Sequence, residues 1–467
     1  MAKLVQAAPR ATSPSAPQSR PSRVLTVMCA GMFLVLLDVT IVNVALPSVG
    51  HSLRAGIAGL QWVVDGYAVT IASLLLAGGT VGDRLGHRRV LLAGFAVFGL
   101  ASLVCAVAPS VGVLVGGRIA QGIGGALLLP STMAVIADVY PDRARQARAL
   151  GTWAAVSSLA LPTGPLLGGL LVGAASWRLV FWINVPLVAF AFVASLRVVP
   201  ESPGRARGGF DLTGMVGLVL GLAALVFAVI SAGHGAGAST IAIAVAVCLV
   251  AFTVGLRAET RAADPVLPLD LLRRRAFVSP NVVALTMNLV FNGLLFVGTL
   301  YLQDVRGRTP LVAGLLVMPL AVPLVALAPV SGRLTARHGP RLAVAAGCAI
   351  ALTGPLLLLG LHPDAGLGWL VAGFTLLGCG AGLVTASVVA AVVRATPSDR
   401  PGLATGMSNT ARQTGTATGV AVFGAVAGSP AAVRTFVHEL HVLSLVAAAL
   451  WAVALVIAVT GVGMSDS

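Results

Sequence analysis

The chain has 467 residues, of which 57% are hydrophobic and only 10% are charged. So few polar groups could not cover the surface of a soluble protein of this length, and sequential soluble domains are therefore excluded. A net charge of +15 would indicate a nucleic-acid partner in a soluble protein, but in a membrane protein it follows from basic residues on cytoplasmic loops, and we expect no nucleic-acid partner.

Apolar runs of about 20 residues recur along the chain, and each is long enough to cross a hydrocarbon layer of roughly 30 Å as a helix. Divided at glycine, proline and charged residues, the runs predict an all-α polytopic membrane protein with fourteen transmembrane helices. The predicted spans are 24–46, 60–82, 90–108, 112–135, 149–173, 178–198, 211–232, 239–257, 280–302, 311–333, 341–361, 367–392, 403–427 and 441–463. Residues 1–23, which are rich in Pro, Ser and Ala, predict a disordered cytoplasmic tail.

The basic residues set the orientation of these helices. With the N-terminus inside, most of the 30 basic residues fall on inner segments, and the outer segments hold Arg54, Arg178, Arg306, Arg308 and Arg434. An even number of spans then places both termini in the cytoplasm. Arginine supplies all the basic residues except Lys3, and alanine, glycine and valine are abundant, which is typical of a GC-rich bacterial genome. We therefore expect a multi-pass protein of the bacterial plasma membrane.

A short segment occurs twice, once in each half of the chain. PVSGRLTARHGPR at 329–341 follows one predicted helix and precedes another, as TVGDRLGHRR does at 80–89, and aligning them superposes Gly86 on Gly339. Two homologous halves around a central cavity are a transporter architecture. The predicted units are an N-terminal six-helix bundle (24–198), a linker with two extra transmembrane helices (199–279) and a C-terminal six-helix bundle (280–463).

The loop between the second and third spans concentrates charge and glycine in GTVGDRLGHRRV, at 79–90. Five of its residues match the loop signature of the major facilitator superfamily: Gly79, Asp83, Arg84, Gly86 and Arg88. Six further segments resemble motifs of its fourteen-helix drug:proton antiporter branch: LDVTIVNVALP (37–47), QWVVDGYAVT (61–70), RIAQGIGG (118–125), GPLLGG (164–169), WRLVFWINVP (177–186) and NTARQTG (409–415). The resemblance is nearest to actinomycete antibiotic exporters of the methylenomycin-resistance type. It implies two pseudo-symmetric six-helix bundles plus two extra central helices.

The same resemblance implies a latch at the charged loop. In the superfamily the loop aspartate lies near the N-terminus of a helix in the opposite half, and the arginines bridge nearby carboxylates. Asp83 would then face the start of the thirteenth helix, near Pro401 and Gly402, where the helix dipole favours an anion. Such a latch across the inner gate would hold one conformation by about 1–2 kcal/mol. The alternative is a loop that only fixes topology through its arginines.

Three ionisable residues lie at one depth inside predicted helices: Asp38 in the first, Asp65 in the second and Arg118 in the fourth. A buried carboxylate takes up a proton when it has no partner and releases it beside a guanidinium, since desolvation and Coulomb attraction act in opposite directions. We therefore expect Asp38 to be the main proton site and Arg118 its modulator, as the resemblance also implies. Asp65 is a second proton site or a substrate contact. The alternatives are a structural hydrogen bond from Asp38 to Thr40 or Asn43, and an interfacial position in water for Asp65.

Other polar residues of the spans are candidates for lining a substrate cavity. Asn409, Arg412 and Gln413 lie in the thirteenth helix, where polar packing is the equal alternative. Asn43 in the first helix and Gln121 in the fourth are further candidates. Such side chains would supply the few polar groups that orient a ligand in a mostly apolar pocket.

GPLLGG in the fifth span resembles the antiport motif of the same branch, through Gly164, Pro165, Gly168 and Gly169. Gly164 and Gly168 lie four apart on one helix face and allow a close helix approach, and Pro165 can bend the helix because it lacks a backbone donor. The family motif typically has glycine four residues before the GP pair, where this chain has Ala160. Small-residue packing without a role in antiport is the alternative.

Cysteine and histidine patterns predict no metal site. The five cysteines lie inside apolar runs without CxxC spacing, as small buried hydrophobes do. His438 and His441 have no third ligand nearby in the sequence, so an interfacial helix start is favoured over a zinc site. The sequence has no Walker A loop, and we expect a proton gradient, with no cofactor, to be the energy source.

The sequence therefore predicts a proton-coupled antiporter, and no enzyme, that exports small amphipathic compounds by alternating access and works as a monomer. Because no acid lies deep in the last six helices, a neutral or weakly charged antibiotic is favoured over dicationic dyes. Proton-coupled transport of a metabolite on the same fold is the alternative. A membrane receptor or enzyme is disfavoured, since the longest interhelical loop has about 22 residues and no acid, histidine or metal constellation clusters at one membrane face.

Overall fold

The computed structural model describes residues 21–201, 212–233, 236–261, 271–362, 366–396 and 401–462, and regular structure within these ranges is helical throughout. The helices are α1 (Pro21–Leu53), α2 (Ile57–Leu85), α3 (His87–Ala106), α4 (Val111–Val139), α5 (Arg143–Ser158), α6 (Ala160–Ala174), α7 (Leu179–Trp182), α8 (Asn184–Val198), α9 (Leu212–Gly233), α10 (Ala238–Arg261), α11 (Arg275–Leu300), α12 (Pro310–His338), α13 (Pro340–Leu357), α14 (Gly368–Ala395), α15 (Pro401–Ala427) and α16 (Val433–Gly461). The tail expected at 1–23 falls outside the described residues except for its last three, which belong to α1.

Twelve helical segments in the described ranges are long and apolar enough to cross a membrane. Two of them each combine consecutive helices, α5 with α6 and α7 with α8. Each of the twelve coincides with one predicted span. The other two predicted spans hold α9, in which Val219–Ala232 is a shorter apolar helical stretch within the described residues, and the more polar α15. The observed fold is therefore that of an all-helical, multi-pass membrane protein.

Two of the membrane-length segments are interrupted by proline. α5 ends at Ser158 and α6 begins at Ala160, because Pro162 has no N–H to donate to the Ser158 carbonyl. α7 and α8 are separated in the same way, because Pro186 cannot donate to the carbonyl of Trp182. Uninterrupted helices were expected over both spans, and the proline chemistry explains the difference.

The helices pack as two halves that meet along a seam. In the N-terminal half α4 packs against α2 and α3, and α1 packs against α6; in the C-terminal half α14 packs against α12 and α13, and α11 against α15. The seam forms where α2 packs against α15 and α6 against α12. α9 and α10 pack on each other, and Leu222, Val226 and Ile230 of α9 form one apolar cluster with Ala68 of α2 and Ala421 of α15. Part of α9 therefore covers the seam.

The repeated sequence segments adopt the same turn. Gly86 separates α2 from α3 with φ of 91°, and Gly339 separates α12 from α13 with φ of 80°. This left-handed conformation is unfavourable for residues with a Cβ, which explains glycine at both positions. The sequence repeat thus corresponds to equivalent turns in the two halves.

The halves touch at the end of the molecule where α1 ends and α2 begins, here called the α1–α2 end. Gln303, in a π-helical extension of α11, donates from Nε2 to the Val44 carbonyl of α1 at 2.9 Å. The neighbouring Asp304 Oδ1 lies 3.4 Å from His51 Nε2. These contacts join α1 to the opposite half and close the seam at this end.

Candidate functional site

A buried ion pair joins α1 to α4. Arg118 donates from Nη1 to Asp38 Oδ2, and the two side chains are 1% and 0% exposed. Charges at this depth are tolerated when they are paired and hydrogen-bonded. The structure thus brings together two residues that the sequence placed at the same depth in different helices.

The second oxygen of the Asp38 carboxylate has two amide partners. Asp38 Oδ1 accepts from Asn184 Nδ2 at 2.8 Å and from Gln121 Nε2 at 3.3 Å. Thr40 and Asn43 donate to backbone carbonyls instead, at positions 36, 37 and 160 for Thr40 and at position 39 for Asn43. The alternative of a structural hydrogen bond from Asp38 to either of these residues is therefore wrong.

Arg118 has further partners that do not depend on Asp38. Its Nε donates to the Val63 carbonyl at 2.9 Å, and its Nη1 donates to Gln121 Oε1 at 2.8 Å. The guanidinium carbon lies 4.3 Å from the centroid of the Tyr67 ring, which is within the range of a cation–π interaction. These contacts anchor the guanidinium through groups other than the carboxylate.

Gln121 extends the network to α3. Its Nε2 donates to Ser102 Oγ at 2.8 Å, and its Oε1 lies 3.5 Å from the Cys105 sulfur. Gln121 and Asn43, both proposed from the sequence as cavity residues, are 0% and 2% exposed. Gln121 therefore belongs to the ion-pair network.

Asn184 is a partner of Asp38 that the sequence analysis did not single out. It is the first residue of α8 and is fully buried. The signals were one amide in the otherwise apolar stretch FWINVP at 181–186 and its place within the family-like segment WRLVFWINVP (177–186). Its contact with Asp38 depends on α8 packing against α1, which no local pattern predicts.

Asp65 on α2 is a second buried acid. Its side chain is 0% exposed, and neither carboxylate oxygen has a hydrogen-bond partner in the described part of the chain. One turn earlier on the same helix face, Gln61 Nε2 donates to the Ala421 carbonyl of α15 at 2.8 Å. The alternative of an interfacial residue in water is therefore wrong, because this part of α2 is covered at the seam.

The charged loop between α2 and α3 makes two kinds of contact. Asp83 is 63% exposed, and its Oδ1 lies 3.2 Å from His87 Nε2. Arg88 donates to the Leu196 carbonyl at 2.7 Å and to Glu201 Oε1 at 3.0 Å. Arg88 thus ties the loop to the end of α8 in its own half, where a cation interacts favourably with the helix dipole.

The other signature residues of the loop lie close by. Gly79 packs near α4, Gly86 forms the turn, and Arg84 is half-buried. The predicted partner of Asp83 is the start of α15 at Pro401 and Gly402. The side chains of residues 401–406 lie outside the described part of the structure, so the latch stays a prediction.

The GPLLGG segment lies in α6 and brings that helix against two neighbours. A Cβ added to Gly168 would lie 2.8 Å from the Ile41 carbonyl oxygen of α1, and one added to Gly164 would also collide with α1. On the other side, a Cβ added to Gly169 would lie 2.7 Å from Leu311 Cα of α12. The segment therefore packs the helix of Asp38 on one side and the opposite half on the other.

The contact between α6 and α12 is reciprocal. A Cβ added to Gly314 of α12 would collide with the backbone of Pro165, which is buried in α6. Glycine on both helices brings the two backbones into direct contact. The antiport-like motif therefore contacts the opposite half through backbone atoms on both helices.

Asn409, Arg412 and Gln413 lie in α15, in the half opposite to the ion pair. Each is partly buried. Their helix packs closely on α11, because a Cβ at Gly415 or Gly419 would meet the α11 backbone. A role in lining a cavity stays a prediction for these three residues.

Histidines and cysteines have other partners in the structure. His441 Nε2 lies 2.7 Å from the Leu361 carbonyl oxygen, and its ring packs edge-on against His362. The five cysteines are free thiols. The described residues contain no group of three or more side chains that could hold a metal ion.

Two helical halves that meet along a seam, with a buried acid–base pair in one of them, define a polytopic membrane protein of the two-bundle type. The family model described as Major Facilitator Superfamily matches residues 28–420. The chain belongs to this superfamily.

Several relatives are similar in sequence. Multidrug resistance protein Stp of Mycobacterium tuberculosis is 36% identical over 331 residues, which cover 70% of this chain and 62% of Stp, so the match spans less than two thirds of that protein. Methylenomycin A resistance protein of Bacillus subtilis is 35% identical, with 73% of each chain covered. Tetracenomycin C resistance and export protein of Streptomyces glaucescens is 34% identical, with 79% of this chain and 69% of that protein covered.

Among solved structures, the fold is similar to that of the human organic anion transporter MFSD10 (TETRAN). The TM-score is 0.65 at 19% sequence identity, and the alignment covers 94% of this chain and 100% of the other. The likeness supports the same overall helical architecture.

Proposed function

We propose that this protein is a proton-coupled antiporter that exports small amphipathic compounds, such as an antibiotic or another drug, by alternating access. The single observation that carries the proposal is the fully buried Asp38–Arg118 pair, in a superfamily member whose relatives are named for drug resistance and export. Intramembrane charges mark ion and substrate pathways. An enzyme or receptor on the same fold has no comparable support.

Asp38 has the chemistry to couple proton entry to substrate exit. Beside the Arg118 guanidinium the carboxylate is held ionised; when the two move apart, desolvation favours the neutral acid. Arg118 keeps Val63, Gln121 and Tyr67 as partners in either case. Proton binding therefore weakens the attraction between α1 and α4 without releasing the cation.

The close packing around α6 gives this change a route to the seam. α1 contacts α6 at Gly168, and α6 contacts α12 of the opposite half at Gly169. A shift of α1 relative to α4 displaces α6, and tightly packed helices transmit such shifts rather than absorbing them. We infer that protonation of Asp38 changes the contact between the halves by this path.

The proposed orientation places both termini in the cytoplasm of a bacterial cell. It assumes fourteen spans, in which α9, with 22 residues, and α15, with 27, add to the twelve membrane-length segments. The α1–α2 end then faces outward, and its contacts at Val44 and His51 give a conformation closed to the outside. In this state the compound enters from the cytoplasm or the inner leaflet. We propose that the protein works as a monomer.

The latch at the charged loop is part of the same proposal. α2 ends near Asp83, and α15 begins at Pro401; the two helices pack antiparallel, so these ends lie at the same end of the molecule. Asp83 is 63% exposed and is available to the first turn of α15. An anion there is stabilised by the helix dipole.

The substrate class follows from the acids that are available. In the described parts of α11–α16 the acids are Asp304 and Glu439, both near helix ends. A site without a deep carboxylate in this half favours a neutral or weakly charged compound over a dication. Coupled transport of a metabolite is the second candidate, which the same site would also allow.

Transport by the purified protein in liposomes with an imposed pH gradient tests the function. Adding a transported antibiotic should release protons in the direction opposite to its movement, and a protonophore should abolish accumulation. Transport at full speed with no dependence on the gradient would refute proton coupling. Proton movement in the same direction as a metabolite would favour the second candidate.

A further inference from the structure

The hydrogen bonds around Asp38 suit only its ionised form. Oδ1 accepts from Asn184 and Gln121, and Oδ2 accepts from Arg118. A protonated carboxyl group carries an O–H that needs an acceptor, and a buried O–H without one is unfavourable. Protonated Asp38 therefore needs an acceptor, and a direct partner that can change from donor to acceptor would supply one.

Gln121 and Arg118 are not free to make that change. Gln121 Oε1 already accepts from Arg118 at 2.8 Å, and Gln121 Nε2 donates to Ser102 Oγ at 2.8 Å. Turning the Gln121 amide would break both bonds. The Arg118 guanidinium has donors only.

The other ionisable groups around the site are also committed. The Tyr67 hydroxyl of α2 donates to the Val35 carbonyl at 3.2 Å, and the Cys105 thiol of α3 lies 3.5 Å from Gln121 Oε1. Arg118 is the charged side chain that forms an ion pair with Asp38 in the described residues. Neither Tyr67 nor Cys105 makes a hydrogen bond to Asp38 in the described residues.

Asn184 has the required freedom. Its side chain is fully buried, its Nδ2 donates to Asp38, and its Oδ1 has no hydrogen-bond partner in the described part of the chain. A half-turn of the amide exchanges nitrogen and oxygen at nearly the same positions. The turn sacrifices no other bond of the side chain and places an acceptor where the donor was, about 2.8 Å from Asp38 Oδ1.

We propose that Asn184 is the positioning residue of the proton site, and that its amide turns to bind Asp38 in both protonation states. It donates to the carboxylate and accepts from the carboxylic acid. The proposal rests on the proposed role of Asp38 in proton coupling. Its consequence is that Asp38 keeps a hydrogen-bond partner both as the carboxylate and as the carboxylic acid.

Infrared difference spectroscopy of the full-length protein in liposomes, titrated with acid, tests this role. The C=O stretching band of protonated Asp38 is identified as the band lost in Asp38→Asn. In Asn184→Leu this band should move to higher wavenumber, because the acid loses its acceptor. Asn281→Leu is the matched control: Asn281 donates to the Phe277 carbonyl at 2.8 Å and also has an unpartnered Oδ1, but it lies on α11.

The same titration separates a two-state partner from a simple donor. If Asn184 binds Asp38 in both protonation states, its removal should shift the pH at which Asp38 is half-protonated by less than one unit, because both states lose a bond. If Asn184 binds only the carboxylate, its removal should raise that pH by more than one unit, which is a tenfold change in proton affinity. Asn184→Ala, which cannot overpack, serves if the leucine variant does not fold. An unmoved C=O band in the folded variant, or a larger pH shift, overturns the proposal.

Failure of this inference is distinguishable from failure of the proposed function. In one outcome, Asp38→Asn abolishes transport driven by the pH gradient while the Asn184 variants keep the wild-type C=O band of protonated Asp38. That result would support proton coupling through Asp38 and refute the role of Asn184. If Asp38→Asn transports normally, or no protonated Asp38 band exists across the titration, both fall.

Discussion

Gly169→Ala should loosen the closed end of the transporter, because the new methyl group has no room between α6 and α12. Its Cβ would lie 2.7 Å from Leu311 Cα and 2.8 Å from the Pro310 oxygen, whereas ordinary contact begins at 3.4 Å. Both neighbours are backbone atoms and cannot rotate away. The helices must therefore separate by about 0.7 Å, the difference between these distances.

The expected shift in conformation follows from the cost of overpacking. Forcing one extra methyl group into a packed contact costs about 1–3 kcal/mol. If that cost applies only to the state closed at the α1–α2 end, the ratio of open to closed molecules rises by a factor of about 5–150. The factor follows because about 1.4 kcal/mol corresponds to a tenfold change in an equilibrium constant. Transport should slow, because the cycle must pass through the closed state.

Cysteine labelling measures this shift directly. Gln303, which bridges to α1 at the closed end, is replaced by cysteine in a variant whose five native cysteines are alanine. A membrane-impermeant maleimide should react faster in the Gly169→Ala background, by a factor within the range above. Gly173→Ala is the matched control one turn along the same helix, where an added Cβ meets nothing within 4 Å.

Equal labelling rates in the Gly169 and Gly173 variants would refute the reasoning. That result would mean that the α6–α12 contact does not hold the end closed, or that the helices separate without cost. Labelling is compared in intact cells and in everted vesicles, so a reversed orientation would be detected as reaction on the other side.

Three further changes address the charged residues. Asp38→Asn should abolish transport driven by a pH gradient and destabilise the fold by less than the about 3–5 kcal/mol of a broken buried pair, since Arg118 keeps other partners; gradient-dependent transport at the wild-type rate would contradict this. Asp65→Leu should raise the thermal unfolding midpoint, because it removes a buried polar group without a partner, which costs about 1–3 kcal/mol, while lowering transport. The control Asp142→Asn keeps the cap of α5 and should change neither the unfolding midpoint nor transport. An unfolding midpoint that is the same as in the wild type for both the Asp65 and the Asp142 variant would count against a destabilising Asp65. Asp83→Ala should slow turnover without weakening substrate binding measured by fluorescence; unaltered turnover would exclude the latch.

The helical architecture could be predicted because the membrane fixes the length of each span. Twelve membrane-length segments coincide with predicted spans, and the equivalent turns at Gly86 and Gly339 follow from a repeat visible in the sequence. The Asp38–Arg118 pair was also accessible, since depth along a helix is read from residue counts. The breaks around Leu159 and Ile183 were missed, although prolines three residues after each were visible.

What could not be predicted depends on which helices become neighbours. Asp65 was considered a possible rim residue, because its distance from the helix end says nothing of the α9 and α15 side chains that cover α2. Asn184 reaches Asp38 only because α8 packs on α1. The contact of Gly169 with Leu311 joins residues from opposite halves. The spacing of small residues in GPLLGG predicts a close helix contact but does not identify which helix packs there.

The independent anchoring of Arg118 has an electrical consequence. Because Val63, Gln121 and Tyr67 retain the guanidinium whether or not Asp38 is neutral, the site keeps one permanent positive charge through the cycle. If Asp38 exchanges a proton as proposed, the proton is the only charge that changes at the site. Exchange of one proton for one uncharged molecule would move one net charge across the bilayer, and the membrane voltage would drive export with about 2.3 kcal/mol for every 100 mV.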